Sequence, residues 1–368
     1  MRKLTLSLLS IASILMVSCD KDETDCACSP VEQLPTTYNF ENVDHSGQDQ
    51  RLDMLNEVVS YVKTSNDGLA VDENTVISML TNQGYTWTKT ELNSSTKQIA
   101  DKYSDEGGST IGGWIKALEQ ISQNPGTGSN GTAGLVQNAG ATKQYLFNDK
   151  GYELAQLIEK GSMGALAYYQ ATSVYLSDSK MNVDNETVTP GSGTVMQHHW
   201  DEGFGYWGVL NDFGSAGFTY DNTADYHRFW AKYTNAVNEH LMVNSKLMQA
   251  FIKGRDAINN KDYTTRDAAI TEVRDTWELV SAAMAIHYLN GAKADIADDA
   301  LRNHQLSEAI GFIWSLSFNP TQKLSDVQIN DLISNNLSNL YEVSVTDLNT
   351  VKDQLANAYH LNDVKDKL

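Results

Sequence analysis

Two pairs of segments repeat in this chain in the same order, and this repeat restricts its architecture more than any other feature. Residues 159–169 align with residues 278–288: a Glu, a Ser and a final Tyr coincide, and small residues fill the middle of both. Residues 198–210 align with residues 304–316, where a His, a Glu, a Gly and a Leu coincide. The repeated order predicts a duplication in which each copy contributes one His-x-x-x-Glu helix.

Helical spacing of apolar residues dominates the chain between these segments. No stretch alternates apolar and polar residues beside a hairpin signal, and residues 124–140 and 177–193 are rich in Gly, Asn, Ser and Thr, which predicts loops. Long helices are predicted over residues 148–176, 196–212, 223–259, 262–289 and 295–316. We therefore predict an all-α protein of duplicated helical bundles, with a first half at about residues 38–215 and a second half at about residues 222–360.

The charge balance excludes one class of partner. The chain has 368 residues, of which 47 are acidic and 27 basic, giving a formal net charge of −20. Such a surface repels the phosphate backbone that dominates affinity for nucleic acid, so we predict that no nucleic acid is bound. The length is sufficient for a large hydrophobic core.

The first residues read as a targeting segment. Arg2 and Lys3 precede an apolar run over residues 4–17, which is too short to span a membrane and fits a signal peptide over residues 1–18. The run ends in Met16-Val17-Ser18-Cys19, which resembles the lipobox of bacterial lipoproteins with Cys19 as the acylated residue. This predicts a membrane partner through the lipid on Cys19 and a lipidated tether over residues 19–37. A plain cleaved signal peptide is the alternative.

The tether carries two further signals. An acidic run over residues 20–23 resembles the surface-export signal of some Gram-negative lipoproteins, and a solvated tether is the alternative reading. Cys26 and Cys28 form a Cys-x-Cys pair without a third ligand nearby, which is a weak metal signal. We expect an outer-membrane lipoprotein, on either the periplasmic or the cell-surface face.

The candidate ligand or metal residues are the imidazoles and carboxylates of the second repeated segment. On a helix, Glu202 shares a face with His198 at a spacing of four or with His199 at a spacing of three, and the repeat favours His198. The other copy supplies His304 and Glu308. If the two pairs met between the halves, their donor set would suit iron, zinc or a similar ion. The alternative is a buried hydrogen-bonded network that joins two bundles without any ligand.

Two further carboxylates belong to the predicted site region. Glu159 and Glu278 lie in helices of small residues, where a buried carboxylate needs a partner, and both are candidates for a supporting network. The aromatic residues after His199 are expected to fill the core rather than to hold a cofactor. No Gly-x-Ser-x-Gly elbow, phosphate loop or His-Glu-x-x-His motif occurs, so no catalytic residue is assigned.

The chain resembles the imelysin family, and more closely an uncharacterised group of imelysin-related outer-membrane lipoproteins. The residues that carry the resemblance are Tyr38-Asn-Phe-Glu-Asn-Val, Ser46-Gly-Gln, Tyr145-Leu-Phe, Glu159-Lys-Gly-Ser-Met-Gly-Ala-Leu and His199-Trp-Asp-Glu-Gly-Phe-Gly-Tyr. Imelysins carry Gly-x-His-x-x-Glu; His199 and Glu202 match its His and Glu, while Gln197 stands at its Gly position. This motif therefore favours His199 over His198.

The resemblance implies a role as well as a fold. It implies an imelysin-like helical domain over residues 38–360, built of two four-helix-bundle-like halves with the His–Glu motif near their interface. It also implies an envelope location, outer-membrane uptake partners and a function linked to iron or haem uptake. The expected function is thus a lipid-anchored protein that binds a metal ion, haem or another small ligand. A metal-dependent peptidase of imelysin type and a non-catalytic structural or adhesive surface lipoprotein are the alternatives.

Overall fold

The computed structural model describes residues 34–221 and 227–368, and these residues are mostly helical. The prediction of an all-α protein is confirmed. The predicted signal peptide, Cys19 and the tether up to residue 33 lie outside the described residues. Leu34–Leu368 is a single compact unit, in which even the C-terminal Leu368 is buried.

The described residues form helices that are joined by short connections near the end of the chain and by longer ones earlier, as between residues 122 and 154. In the first predicted half they are α1 Ser46–Lys63, α2 Glu73–Thr81, α3 Asp105–Ser122, α4 Leu154–Ser162, α5 Asp178–Met181 and α6 Val195–Gly205. In the second predicted half they are α7 Trp230–Ala236, α8 Asn238–Leu241, α9 Val243–Asn259, α10 Tyr263–Ala294, α11 Asp299–Ser315, α12 Asp326–Asn336 and α13 Val345–Ala358.

The core lies around α10 and α11. Helix α10 packs against both α9 and α11, and α11 packs in turn against α4, so α11 contacts helices of both predicted halves. Large aromatic side chains on several helices, among them Trp200, Trp230 and Trp277, are completely buried there. Burial of side chains of this size supplies most of the hydrophobic stabilisation of a helical core.

The predicted long helix at residues 148–176 begins later and changes its winding. After α4 it continues as two π-helical segments, Met163–Tyr168 and Gln170–Tyr175. A Cβ atom on Gly164 would collide with Ser315, so the absence of a side chain allows α11 to approach the helix closely. Segments of π-helix are uncommon and are frequent at functional sites.

A short hairpin was missed by the sequence analysis, which predicted a loop over residues 124–140. Strand β1 Gly134–Gln137 pairs antiparallel with β2 Gln144–Phe147. The Oδ1 atom of Asn138 accepts hydrogen bonds from the backbone N–H groups of Thr142 and Lys143, which closes the turn. Strands of only four residues are too short to show a convincing alternation of apolar and polar residues.

Two predicted helices are shorter than expected. From residue 227 onward, the helix predicted over residues 223–259 is divided into three helices, α7, α8 and α9, and Met242 adopts the left-handed conformation (φ 54°) between the last two. The His-rich helix was predicted to reach residue 212 but ends at Gly205, because Gly208 takes a positive φ of 77° and the chain turns there. Residues 222–226 lie outside the described residues.

None of the helices in residues 34–221 and 227–368 combines the length and apolar composition that crossing a membrane requires. The duplication of the two halves stays a prediction, since the architecture alone does not establish an internal repeat.

Candidate functional site

Helix α6 carries the first predicted His–Glu pair. The helix starts with a capping box, in which Thr194 Oγ1 accepts from the Gln197 N–H and Gln197 Oε1 accepts from the Thr194 N–H. This cap satisfies two backbone donors at the start of the helix and fixes where it begins. His198 and Glu202 are then one turn apart on the same face.

In the pair on α6, neighbouring side chains hold Glu202 in place by hydrogen bonds to one of its oxygen atoms. His198 Nε2 lies 3.8 Å from Glu202 Oε2, and the two side chains are 34% and 19% exposed. Glu202 Oε1 accepts hydrogen bonds from Gln48 Nε2 at 3.0 Å and from the Tyr175 hydroxyl at 3.1 Å. His198 Nδ1 is buried and has no hydrogen-bond partner among the residues that the structure describes. The carboxylate is therefore oriented, while the imidazole Nε2 and Glu202 Oε2 face each other near the surface.

His199 points elsewhere. Its Nδ1 lies 3.0 Å from the Lys180 carbonyl oxygen and its Nε2 lies 3.4 Å from Lys180 Nζ. These contacts fit a neutral ring that donates through Nδ1 and accepts at Nε2. Burial lowers the pKa of His199, and the charge of Lys180 lowers it further. Of the two adjacent histidines, His198 therefore lies beside Glu202, whereas His199 contacts Lys180.

Asp201 forms a buried cluster behind this face. It is fully buried, and its Oδ1 accepts from Arg255 Nε at 2.9 Å and from the Tyr38 hydroxyl at 2.6 Å. The Tyr38 ring also stacks on Phe204 with ring centres 3.8 Å apart. An enclosed ion pair with a charge-assisted hydrogen bond fixes the segment before α1 against α6. The sequence analysis did not single out this cluster.

The second pair, on α11, lies in a different environment. His304 Nδ1 is 2.5 Å from Glu153 Oε2, and His304 Nε2 is 3.5 Å from Glu308 Oε2. The Tyr145 ring stacks on the imidazole with centres 4.2 Å apart. Burial alone would lower the pKa of His304, but the charge of Glu153 and its hydrogen bond raise that pKa above its ordinary value. His304 is thus held between two carboxylates.

Lys160 connects this pair to Glu159. Its buried ammonium lies 3.1 Å from Glu308 Oε1, 2.9 Å from Glu159 Oε2 and 3.0 Å from Gln156 Oε1, and Lys63 forms a further ion pair with Glu159. Burial alone would raise the pKa of Glu159, but the charges of Lys160 and Lys63 lower it to about 2. His304, Glu308 and Glu159 therefore belong to one network of ion pairs and hydrogen bonds between α4 and α11.

Glu278 lies apart from that network. Its carboxylate accepts from Asn319 Nδ2 at 2.6 Å, from the Lys323 N–H at 2.8 Å and from the Tyr359 hydroxyl at 2.6 Å. These contacts join α10 to the connection after α11 and to the end of α13. Glu159 and Glu278, which were predicted to support one network, therefore have different partners in the structure.

The two His–Glu pairs do not form one site. Within residues 34–221 and 227–368, no hydrogen bond or ion pair joins His198 or Glu202 to His304 or Glu308, and no group of three or more His, Cys, Asp or Glu side chains could hold a metal ion. The reason is the helix packing: α6 packs mainly against the second π-helical segment and α9, whereas α11 packs against α10 and α4. The expected meeting of the pairs is therefore corrected to two separate clusters.

Several residues of these clusters were missed as site residues although they stand in the segments that carry the family resemblance. Gln48 belongs to Ser46-Gly-Gln, Tyr145 to Tyr145-Leu-Phe and Lys160 to Glu159-Lys-Gly. The first contacts Glu202, the second stacks on His304 and the third binds Glu308. These three residues could have been predicted by assuming that the segments carrying the resemblance pack against α6 and α11. Glu153 and Tyr175 carried no such signal.

Comparison of the sequence with known protein families identified a family match. The model of a family described as Domain of unknown function (DUF4856) matches residues 35–362. No curated protein matches the chain, and no solved structure matches it.

Proposed function

The chain belongs to the family described as Domain of unknown function (DUF4856), and we propose that it is a lipid-anchored envelope protein that binds a metal ion or a metal complex. The proposed site is the pair on α6, His198 and Glu202. The observation that carries the proposal is the 3.8 Å separation of His198 Nε2 and Glu202 Oε2 at a partly exposed position.

The donors of this pair fit the proposed ligand. Imidazole nitrogen and carboxylate oxygen are donors that zinc and iron accept. Hydrogen bonds from Gln48 and Tyr175 to the second oxygen of Glu202 orient the carboxylate, as partners behind a metal ligand commonly do. Two protein donors leave further coordination positions to water or to ligands that arrive with the metal. The pair therefore suits a complexed metal such as haem iron, for which one axial His can suffice, or a solvated zinc or iron ion.

The pair on α11 is a poorer candidate. The Lys160 ammonium lies 3.1 Å from Glu308 and would repel a cation, and His304 already bonds to Glu153 at 2.5 Å. A metal would have to displace these contacts from a buried network. The proposal therefore assigns ligand binding to His198 and Glu202 and a structural role to His304 and Glu308.

The envelope location rests on other features. Arg2 and Lys3, the apolar run and Cys19 support a lipid anchor, and the resemblance to imelysin-related lipoproteins supports a role in iron uptake with outer-membrane partners. Labelling of the expressed chain with a radioactive fatty acid tests the anchor. We expect label in the wild-type chain and none in Cys19→Ala, and equal labelling of both would contradict it.

Binding can be measured on the full chain by equilibrium dialysis with zinc and ferrous iron, and by the Soret absorbance of added haem. We expect at least one of the three ligands to bind with a micromolar Kd, and His198→Ala and Glu202→Gln to weaken it about 10–100-fold. His287→Ala, which removes an exposed histidine of α10, is the matched control and should bind as the wild type does. If none of the three ligands binds, or if all three variants bind equally, the proposal is wrong.

A further inference from the structure

A second candidate site lies on another part of the molecule. A cleft of about 530 Å³ is lined by residues at the start of α3, in the second π-helical segment, at the end of α11 and at the start of α12. We call it the α3–α12 cleft. None of its lining residues belongs to the clusters of His198 or His304. Its volume lies within the range of about 300–1,000 Å³ that is usual for small-molecule sites.

Aromatic rings form one side of the α3–α12 cleft. Trp314 and Tyr169 are half-buried, and Phe318 is buried beside them. The Trp314 ring packs edge-on against Phe318 at 4.8 Å and against Trp114 at 5.1 Å, measured between ring centres. A Cβ atom on Gly161 would lie 2.6 Å from Trp114 and 3.0 Å from Trp314, so the glycine leaves the space that both rings occupy. The rings are thus held in fixed positions, and Trp314 and Tyr169 keep part of their surface accessible.

Hydrogen-bonding side chains form most of the remaining lining. Asp326 Oδ1 accepts from Gln322 Nε2 at 2.7 Å, and Asn330 follows one turn later on the same face of α12. Glu106 of α3 and Ser173 of the second π-helical segment also line the cleft, and the Ser173 hydroxyl donates to the Phe318 carbonyl at 2.7 Å. Carboxylates only accept hydrogen bonds, whereas amides and hydroxyls both donate and accept. The residues that line the α3–α12 cleft include no Lys and no Arg, so its fixed charge is negative.

We propose that the α3–α12 cleft binds a neutral oligosaccharide. A pyranose ring has a face of C–H groups, which packs on the negative face of an aromatic ring, and a rim of hydroxyls that both donate and accept hydrogen bonds. The cleft offers both surfaces side by side. Acidic sugars are disfavoured because Glu106 and Asp326 repel a carboxylate or sulfate, as does the net charge of −20. This site goes beyond the proposed metal site and shares no residue with it.

Binding can be tested with the full chain by isothermal titration calorimetry. The probes are maltohexaose, cellohexaose, xylohexaose and mannohexaose, with hexagalacturonic acid as the acidic counterpart. We expect at least one neutral probe to bind with a Kd below about 1 mM, equivalent to roughly −4 kcal/mol, and the acidic probe to bind more weakly. If no neutral probe binds at that level, or if the acidic probe binds more tightly, the proposal is overturned.

Variants locate the binding on the molecule. Asn330→Ala changes an exposed residue of the cleft, and Asn335→Ala makes the same change on the same helix outside the cleft. We expect Asn330→Ala to weaken binding about 3–10-fold, as expected for one lost hydrogen bond, and Asn335→Ala to leave it unchanged. Trp314→Ala should abolish binding, provided that its circular dichroism matches the wild type. Equal affinities of Asn330→Ala, Asn335→Ala and the wild type would overturn the proposal whether or not Trp314→Ala folds.

Discussion

The Nζ atom of Lys160 lies 3.1 Å from Glu308 Oε1, so a single buried ammonium on α4 binds the His–Glu pair of α11. The same ammonium lies 2.9 Å from Glu159 and 4.9 Å from the centre of the Tyr233 ring. Lys160 is only 1% exposed, which is rare for a lysine unless its charge is paired. Its charge therefore helps to hold together α4 and α11, which belong to the two predicted halves.

Replacing this lysine should destabilise the protein strongly. Lys160→Met keeps the length of the side chain but leaves Glu159 and Glu308 without their shared buried cation. We expect the free energy of unfolding to fall by about 3–5 kcal/mol, as measured by urea denaturation. Lys253→Met is the control, because it removes a partly exposed ion pair with Glu272 and should cost at most about 1 kcal/mol. Equal losses in the two variants would contradict the central role of Lys160.

The charge of His304 should make stability depend on pH. Its pKa is raised above 6.5 in the folded protein, because Glu153 outweighs the effect of burial. The resulting stabilisation is fully present below the unfolded pKa of about 6.5 and is lost as the pH rises through the folded pKa. We expect the wild-type free energy of unfolding to decrease through this window. Urea denaturation at a series of pH values measures this dependence. The free energy of unfolding of His304→Gln should decrease less over this window than that of the wild type. An equal decrease in both proteins would contradict the prediction.

The helices were predictable from the sequence to a greater extent than their packing. The spacing predicted that Glu202 shares a face with either His198 or His199 and that Glu308 shares one with His304, and in the structure Glu202 faces His198 and Glu308 faces His304. The period of apolar residues does not say which helix a face meets. It therefore could not show that α6 and α11 pack against different neighbours, which keeps the two pairs apart.

The partners of the site residues were harder to predict for the same reason. Glu202 is bound by Gln48, which is 154 positions away in the chain, and His304 by Glu153, which is 151 positions away. Such contacts depend on the tertiary arrangement and leave no periodic signal. A lysine next to a glutamate, as in Glu159-Lys160, is usually expected on the protein surface. In the structure both side chains are buried, because α11 packs against α4.

Tyr38 should contribute to stability through its hydroxyl group. Tyr38→Phe keeps the ring stacked on Phe204 but removes the 2.6 Å hydrogen bond to buried Asp201. Because the fully buried carboxylate then has one hydrogen bond fewer, we expect the free energy of unfolding to fall by about 1–3 kcal/mol in urea denaturation. Tyr263→Phe is the control, because this residue is 38% exposed and its hydroxyl accepts only a long hydrogen bond of 3.3 Å from Asn185 Nδ2, which also donates to the Ile258 carbonyl at 2.8 Å. It should change stability by less than about 0.5 kcal/mol. If Tyr38→Phe left the free energy of unfolding unchanged, the hydrogen bond to Asp201 would not contribute to stability, which would contradict the prediction.

Two glycines within helices should respond to alanine in opposite ways. A Cβ atom on Gly254 of α9 would collide with the indole ring of Trp200 on α6, whose Nε1 also donates to the Phe251 carbonyl at 3.0 Å. Gly254→Ala must therefore move α9 away from α6, and we expect a loss of about 1–3 kcal/mol. Gly112 of α3 has open space where its Cβ would lie, so Gly112→Ala should stabilise by about 0.4–1 kcal/mol by reducing the entropy of the unfolded chain. Thermal or urea denaturation of the two variants measures the contrast. A Gly254→Ala variant as stable as Gly112→Ala would contradict the close approach of α6 and α9, on which the position of the His198–Glu202 pair depends.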